Sequence, residues 1–194
     1  MRIGIDFDNT IICYDTVFNK VGIEKGLLPE NLPVGKGFVR DYLRKHDKEK
    51  EWIWLQGYVY GTRLSEADIY GGVEEFLTYS KTAGIDCFIV SHKTIYPYSG
   101  DKYDLHKSAS EWIQHQKLDI EFFFELTKED KIKRVSDLNC SYFIDDLPEF
   151  LMLPGFPEKL IKILFDPLNK YCASDFGYQY AASWNDILAM FKNV

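Results

Sequence analysis

Asp6 and Asp8 stand two residues apart at the end of a short apolar run, Ile3-Gly4-Ile5, and a hydroxyl follows at Thr10. Strand geometry puts positions i and i+2 on one face, so the two carboxylates converge. Carboxylates held that close repel unless a cation or a shared proton compensates them. A cost of that kind at the first strand implies chemical use.

Three further features fall where apolar runs of strand length end. Ser91 closes Phe88-Ile89-Val90-Ser91, with His92 and Lys93 directly after it. Asp145 and Asp146 close Tyr142-Phe143-Ile144. Between them, Thr127 and Asp130 have the spacing of a helix capping box. That box places Lys131 in the first helical turn, where a side chain can reach the carboxyl edge of a sheet. Lys128 and Lys133 compete for the same role, and Lys131 is the best placed of the three.

The elements that position these residues are legible as alternation. Strands are expected at Ile3–Ile5, Ile85–Ser91, Ile120–Phe124, Tyr142–Asp145 and Leu160–Phe165. Their apolar runs are continuous rather than alternating, which fits a parallel sheet covered on both faces. Helical stripes lie between them: Val73, Phe76 and Leu77; Leu105, Ala109, Trp112 and Ile113; Ile132 and Val135. Ser183 with Asp186 caps a last helix carrying Ile187, Leu188, Met190 and Phe191. The class is α/β, a Rossmann-like doubly wound parallel sheet. All four chemical features then fall at strand carboxyl ends, where open α/β sheets hold ligands.

The stretch 14–70 is too long for a connecting loop and breaks the rhythm. It has helical patterns of its own, such as Phe38, Val39, Tyr42 and Leu43, and an aromatic set at Trp52, Trp54, Tyr58 and Tyr60. It reads as a small, mainly helical insertion, with Gly71-Gly72 marking the return. The expected division is therefore a core of 1–13 and 71–194, and an insertion of 14–70. The aromatic set reads as the insertion's own core, with stacking on a base or sugar as the alternative.

Taken in order, Asp6-Phe7-Asp8-Asn9-Thr10, Ser91, Lys131 and Asp145-Asp146 resemble the four motifs of the haloacid dehalogenase superfamily of phosphohydrolases. The insertion resembles that superfamily's cap. The resemblance implies that Asp6 attacks phosphorus and becomes an aspartyl-phosphate. Asp8 would protonate the leaving oxygen and then deprotonate water. Thr10, Ser91 and Lys131 would hold the phosphoryl group, with His92 and Lys93 as further substrate contacts. Mg2+ is the implied cofactor, held by Asp6, Asp8 through its backbone carbonyl, and the Asp145-Asp146 pair. Alignment with the superfamily's Gly-Asp variant makes Asp146 the direct ligand and Asp145 its support. Asn9 stands where glycine is frequent; Asn tolerates a left-handed backbone. Asp8 argues for phosphoryl rather than halide chemistry. The implied substrate is a small phosphorylated metabolite, a sugar phosphate or nucleotide. A phosphotransferase or mutase, or a regulatory protein binding a phosphorylated ligand, is the alternative.

Bulk composition narrows the classes further. The chain has 194 residues, 46% hydrophobic and 16% aromatic, ample for a packed core. A net charge of −7 disfavours a nucleic-acid footprint, which needs basic surface. No apolar run approaches the roughly 18 to 20 residues that span a bilayer, and no signal peptide is expected before the first strand. Cys13, Cys87, Cys140 and Cys172 lie far apart with no CxxC pair. They read as reduced thiols in a cytoplasmic protein.

Overall fold

A computed structural model describes residues 1–171 and 177–192 of the chain; Cys172 lies outside them. The strands are β1 (Arg2–Ile5), β2 (Ile12–Cys13), β3 (Asp68–Ile69), β4 (Asp86–His92), β5 (Glu121–Glu125), β6 (Tyr142–Asp145), β7 (Ile161–Phe165) and β8 (Gln179–Ala181). The α-helices are α1 (Asp15–Glu24), α2 (Lys36–Lys45), α3 (Glu49–Thr62), α4 (Val73–Thr82), α5 (Leu105–His115), α6 (Lys128–Asp137), α7 (Pro148–Leu151) and α8 (Trp184–Lys192). Two compact units emerge. One joins Met1–Ile12, Ile69–His92 and Asp119–Val194; the other joins Cys13–Asp68 and Lys93–Leu118.

The first unit is built on a six-stranded sheet in the order β5-β4-β1-β6-β7-β8. Every neighbouring pair is parallel. Ile3 and Ile5 of β1 are fully buried, as are Phe143 and Ile144 of β6 and Ile163 and Leu164 of β7. Both faces of these strands are covered, which is why their sequences run apolar without alternation. Leu164 joins a cluster with Ile132, Val135, Phe143 and Phe150, while its neighbour Phe165 meets Trp184 on the opposite face. Trp184 in turn meets Phe76 of α4. The register aligns Ile5 with Ile89 on one side and Ile144 on the other. The strand order reverses at β1, so the carboxyl ends of β4, β1 and β6 surround a topological switch point.

Both anticipated helix starts are present. Thr127 Oγ1 accepts from the Asp130 amide at 3.0 Å and donates to its carboxylate at 2.7 Å, opening α6. Ser183 and Asp186 make the equivalent pair at α8, 3.1 and 2.8 Å. The short β8 had no counterpart among the expected strands.

The second unit holds α1, α2, α3 and α5. Tyr14, Phe18, Trp52 and Tyr60 form its aromatic centre, with neighbouring ring centroids 5.0–5.9 Å apart. Here the structure departs from the expected division, because Lys93–Leu118 associates with Cys13–Asp68. The physical reason lies on α3. Gly57 and Gly61 are four residues apart and share a face. A methyl group at Gly57 would stand 2.6 Å from Pro97, and one at Gly61 2.3 Å from Tyr103. These two glycines let the Lys93–Asp104 chain lie directly on the helix. Leu105, Ala109, Trp112 and Ile113 of α5 are then buried, and Trp112 Nε1 donates to the Ala67 carbonyl at 3.1 Å. Among the described residues, no helix is long and apolar enough to cross a membrane.

Gly72 precedes α4 with φ of +94°, and a Cβ there would meet Trp184 Cβ at 2.8 Å. Gly72→Ala should therefore lower stability by about 1–3 kcal/mol, from strain and a contact that cannot relax at a side-chain tip. Chemical denaturation of the purified variant measures this; an unchanged midpoint would contradict it.

Candidate active site

Asp6 follows β1 directly, its amide donating to the Ile144 carbonyl at 2.8 Å. The chain then turns tightly, because the amides of Thr10, Ile11 and Ile12 all reach the Phe7 carbonyl, at 3.4, 3.1 and 3.1 Å. Asn9 supplies the left-handed residue that this turn needs, with φ of 58°. The end of the turn is anchored from across the unit, where Trp184 Nε1 donates to the Thr10 carbonyl at 2.9 Å. Both residues are completely buried.

Lys131 reaches the switch point from the first turn of α6. Its Nζ donates to Asp6 Oδ1 at 2.6 Å and to Asp145 Oδ2 at 2.7 Å. All three residues are buried. The ammonium also lies 4.2 Å from the Phe150 ring centroid and 5.3 Å from that of Phe143. Lys128 begins α6 on the exposed side, and Lys133 pairs with Asp137 at the surface. Among the three candidates, Lys131 is the one the fold brings to the carboxylates.

Asp145 has both oxygens engaged: Oδ2 with Lys131, and Oδ1 accepting from the Leu147 amide at 2.9 Å. Asp146, at the end of the same strand, is half-buried. One carboxylate oxygen from each of Asp6, Asp145 and Asp146 lies within 4.8 Å of the others. Three oxygen donors in that space suit a hard divalent cation. Carboxylates that close repel one another, and a bound cation would relieve that repulsion. The donor set therefore fits Mg2+.

The electrostatics carry the same message. Burial pushes the Asp6 carboxyl above the ordinary carboxylate range; Lys131 opposes that, and the Asp145 and Asp8 charges add to it. Burial works against the Lys131 charge, but Asp145 and Asp6 outweigh it and raise its pKa above that of an ordinary lysine. Asp8 is half-buried, and its backbone bridges to Ile12.

Thr10 Oγ1 and Ser91 Oγ are buried, and neither has a hydrogen-bond partner among the described residues. An unsatisfied buried hydroxyl costs about 1–3 kcal/mol, and such groups in a native protein call for a ligand or other explanation. Ser91 lies near the end of β4, where the sequence places it. His92 is tied down, its Nε2 3.1 Å from the Leu126 carbonyl. Lys93 belongs to the second unit, where its Nζ lies 5.1 Å from the Tyr60 ring centroid. Asp166, just beyond β7, accepts from the Tyr171 amide and the Tyr180 hydroxyl. Trp184 escaped the sequence reading, since 174 residues separate it from Thr10 and no local pattern links them.

No family model and no curated protein matches the sequence. Solved structures match over nearly the whole chain. A HAD family hydrolase from Deinococcus radiodurans R1, with bound phosphate and sodium, gives a TM-score of 0.61 at 12% identity, covering 99% of this chain and 95% of that one. A predicted phosphatase from Clostridium acetobutylicum gives 0.59 at 17% identity over 100% and 98%. A putative β-phosphoglucomutase from Thermotoga maritima gives 0.56 at 16% identity over 100% and 99%. The chain thus has the fold of haloacid dehalogenase-superfamily hydrolases.

A carboxyl group whose folded-state pKa is raised weakens stability as pH rises above the ordinary carboxylate range, because the unfolded chain releases that proton more readily. Asp6→Asn should therefore melt higher than the parent at pH 7.5 without metal, by roughly 2–4 °C for ~1 kcal/mol. The gain should shrink as pH falls and vanish near pH 3, below the ordinary Asp value of 3.8, where Asp6 is largely protonated in both states. A lower melting temperature at pH 7.5, or a gain independent of pH, would contradict this electrostatic reading.

Proposed function

We propose that this protein is a Mg2+-dependent phosphomonoesterase of the haloacid dehalogenase type, acting on a small phosphorylated metabolite through an aspartyl-phosphate on Asp6. The observation that carries the reading is the buried Lys131 ammonium between Asp6 and Asp145, at the switch point of a parallel sheet.

In this mechanism a carboxylate oxygen of Asp6 attacks phosphorus and the bond to the ester oxygen breaks. Asp8 gives its proton to the departing oxygen. Asp8 then takes a proton from water as that water attacks phosphorus, and the Asp6 carboxylate is released. Lys131 offsets charge on the phosphorylated Asp6. Thr10 and Ser91 donate their otherwise unsatisfied hydroxyls to phosphoryl oxygens. Asp6, the Asp8 carbonyl and Asp146 would hold Mg2+, which supplies neutralisation of phosphoryl charge. Asp145, engaged with Lys131 and the Leu147 amide, supports both the lysine and the ligand beside it. The second unit, Cys13–Asp68 with Lys93–Leu118, would take part in substrate selection. A cytoplasmic setting agrees with the thiols at Cys13, Cys87 and Cys140. Burial pushes Cys87 and Cys140 up to about 11, which leaves them poorly reactive.

The likeness to a putative β-phosphoglucomutase favours one second reading, in which a substrate hydroxyl replaces water as acceptor. A phosphorylated acceptor product would mark that transferase.

Acid quenching during turnover, followed by peptide mass spectrometry, should find a phosphoryl group on the peptide containing Asp6. Asp8→Asn should lower turnover about 10²–10⁴-fold on alkyl phosphates and much less on nitrophenyl phosphate, whose leaving group needs no proton. Equal losses on both esters would remove Asp8 from the acid role.

A further inference from the structure

The turn that carries Asp8 is closed on itself and pinned at two further carbonyls. The Phe7 carbonyl accepts from the amides of Thr10, Ile11 and Ile12, and the Asp8 backbone bridges to Ile12. Asp8 therefore sits inside a ring of backbone hydrogen bonds. The Thr10 carbonyl accepts from Trp184 Nε1 at 2.9 Å, and the Ile11 carbonyl from the Tyr70 amide at 2.9 Å. All of these residues belong to the first unit.

The two pins share one foundation. The Tyr70 and Trp184 rings both meet Phe165, with centroids 5.0 and 5.8 Å away, and Trp184 meets Phe76 at 5.1 Å. Trp184 opens α8, whose start is fixed by the Ser183–Asp186 pair. Gly72 leaves room for it, since a Cβ there would stand 2.8 Å from Trp184 Cβ. A buried indole N–H needs an acceptor, and any nearby carbonyl would satisfy it. The one it takes lies 174 residues away in the chain and two residues from Asp8. Without that donor a buried carbonyl loses its hydrogen bond, and a turn that shifts in response re-aims Asp8.

We propose that Trp184 is a positioning residue for the general acid: its indole N–H, by holding the Thr10 carbonyl, fixes the turn so that the Asp8 carboxyl meets the leaving oxygen. The proposal rests on the phosphatase reading of the first unit. Trp184 is fully buried and acts through the backbone rather than by contact with substrate. The hydrogen bond, and not the bulk of the ring alone, carries the effect.

Two replacements in the full chain separate the N–H from the ring. Trp184→Phe removes the donor and some volume. Site-specific replacement of the indole by benzothiophene, in which sulfur stands in place of N–H, removes the donor alone, and it decides the matter if circular dichroism shows Trp184→Phe unfolded. Hydrogen exchange read by mass spectrometry follows the turn without any turnover. Both replacements should speed exchange in peptides spanning 7–12 about tenfold or more. The reference is Leu160→Ala, a cavity just before β7 at the end of the sheet away from the site, which lowers stability without touching the turn. On alkyl phosphates kcat/KM should fall about tenfold or more with KM little changed, and on nitrophenyl phosphate severalfold less. In an Asp8→Asn background the same replacements should cost little more. Exchange at 7–12 that rises no more than in Leu160→Ala, equal losses on both esters, or losses that add fully to those of Asp8→Asn would overturn the proposal. A parent with no turnover on any ester defeats the phosphatase reading, while exchange at 7–12 still decides whether the indole holds the turn.

Discussion

A buried lysine shared by two buried carboxylates constrains much of the first unit. Taking a charge out of water costs several kcal/mol unless partners meet it with good geometry. Lys131 meets that condition through Asp6 at 2.6 Å and Asp145 at 2.7 Å. Those partners stand at the ends of β1 and β6, which are adjacent because the strand order reverses at β1. The lysine itself arrives from α6, whose start is fixed by the Thr127–Asp130 pair. Phe143 and Phe150 wall the ammonium from solvent. Strand order, helix cap and aromatic packing thus converge on the position of one nitrogen.

That constraint extends into the backbone after β1. Three amides converge on the Phe7 carbonyl, Asn9 takes the left-handed conformation, and the Trp184 indole holds the Thr10 carbonyl. Trp184 also contacts Phe76 and Phe165, so packing on one face of the sheet is tied directly to the turn that carries Asp8 and Thr10. The buried hydroxyls of Thr10 and Ser91, by contrast, have no hydrogen-bond partner among the described residues. A rigid turn flanked by unsatisfied donors is the arrangement expected where a ligand completes the hydrogen bonding.

Much of this was legible in the sequence because it depends on local rules. Continuous apolar runs marked β1, β4, β5, β6 and β7 within a residue or so, and capping residues marked α6 and α8. Lys131 could be chosen over Lys128 and Lys133 because a helix start fixes where its early side chains point. The placement of α5 was not legible. Its stripe of Leu105, Ala109, Trp112 and Ile113 says that one face is buried, and periodicity is silent about what buries it. Gly57 and Gly61, four residues apart on α3, were the available signal, since they create a face smooth enough for Pro97 and Tyr103. The Trp184–Thr10 bond depends on tertiary packing alone. β8 is three residues long and carries no run from which a strand could be read.

The central claim is that Asp6, Lys131 and the acidic cluster form a metal-assisted phosphoryl-transfer centre. Hydrolysis of nitrophenyl phosphate by the purified protein, with Mg2+ and with chelator, alongside folded Asp6→Asn, tests it most directly. The account predicts turnover that requires Mg2+ and disappears in the variant. Turnover that survives chelation, or that persists in Asp6→Asn, would contradict it.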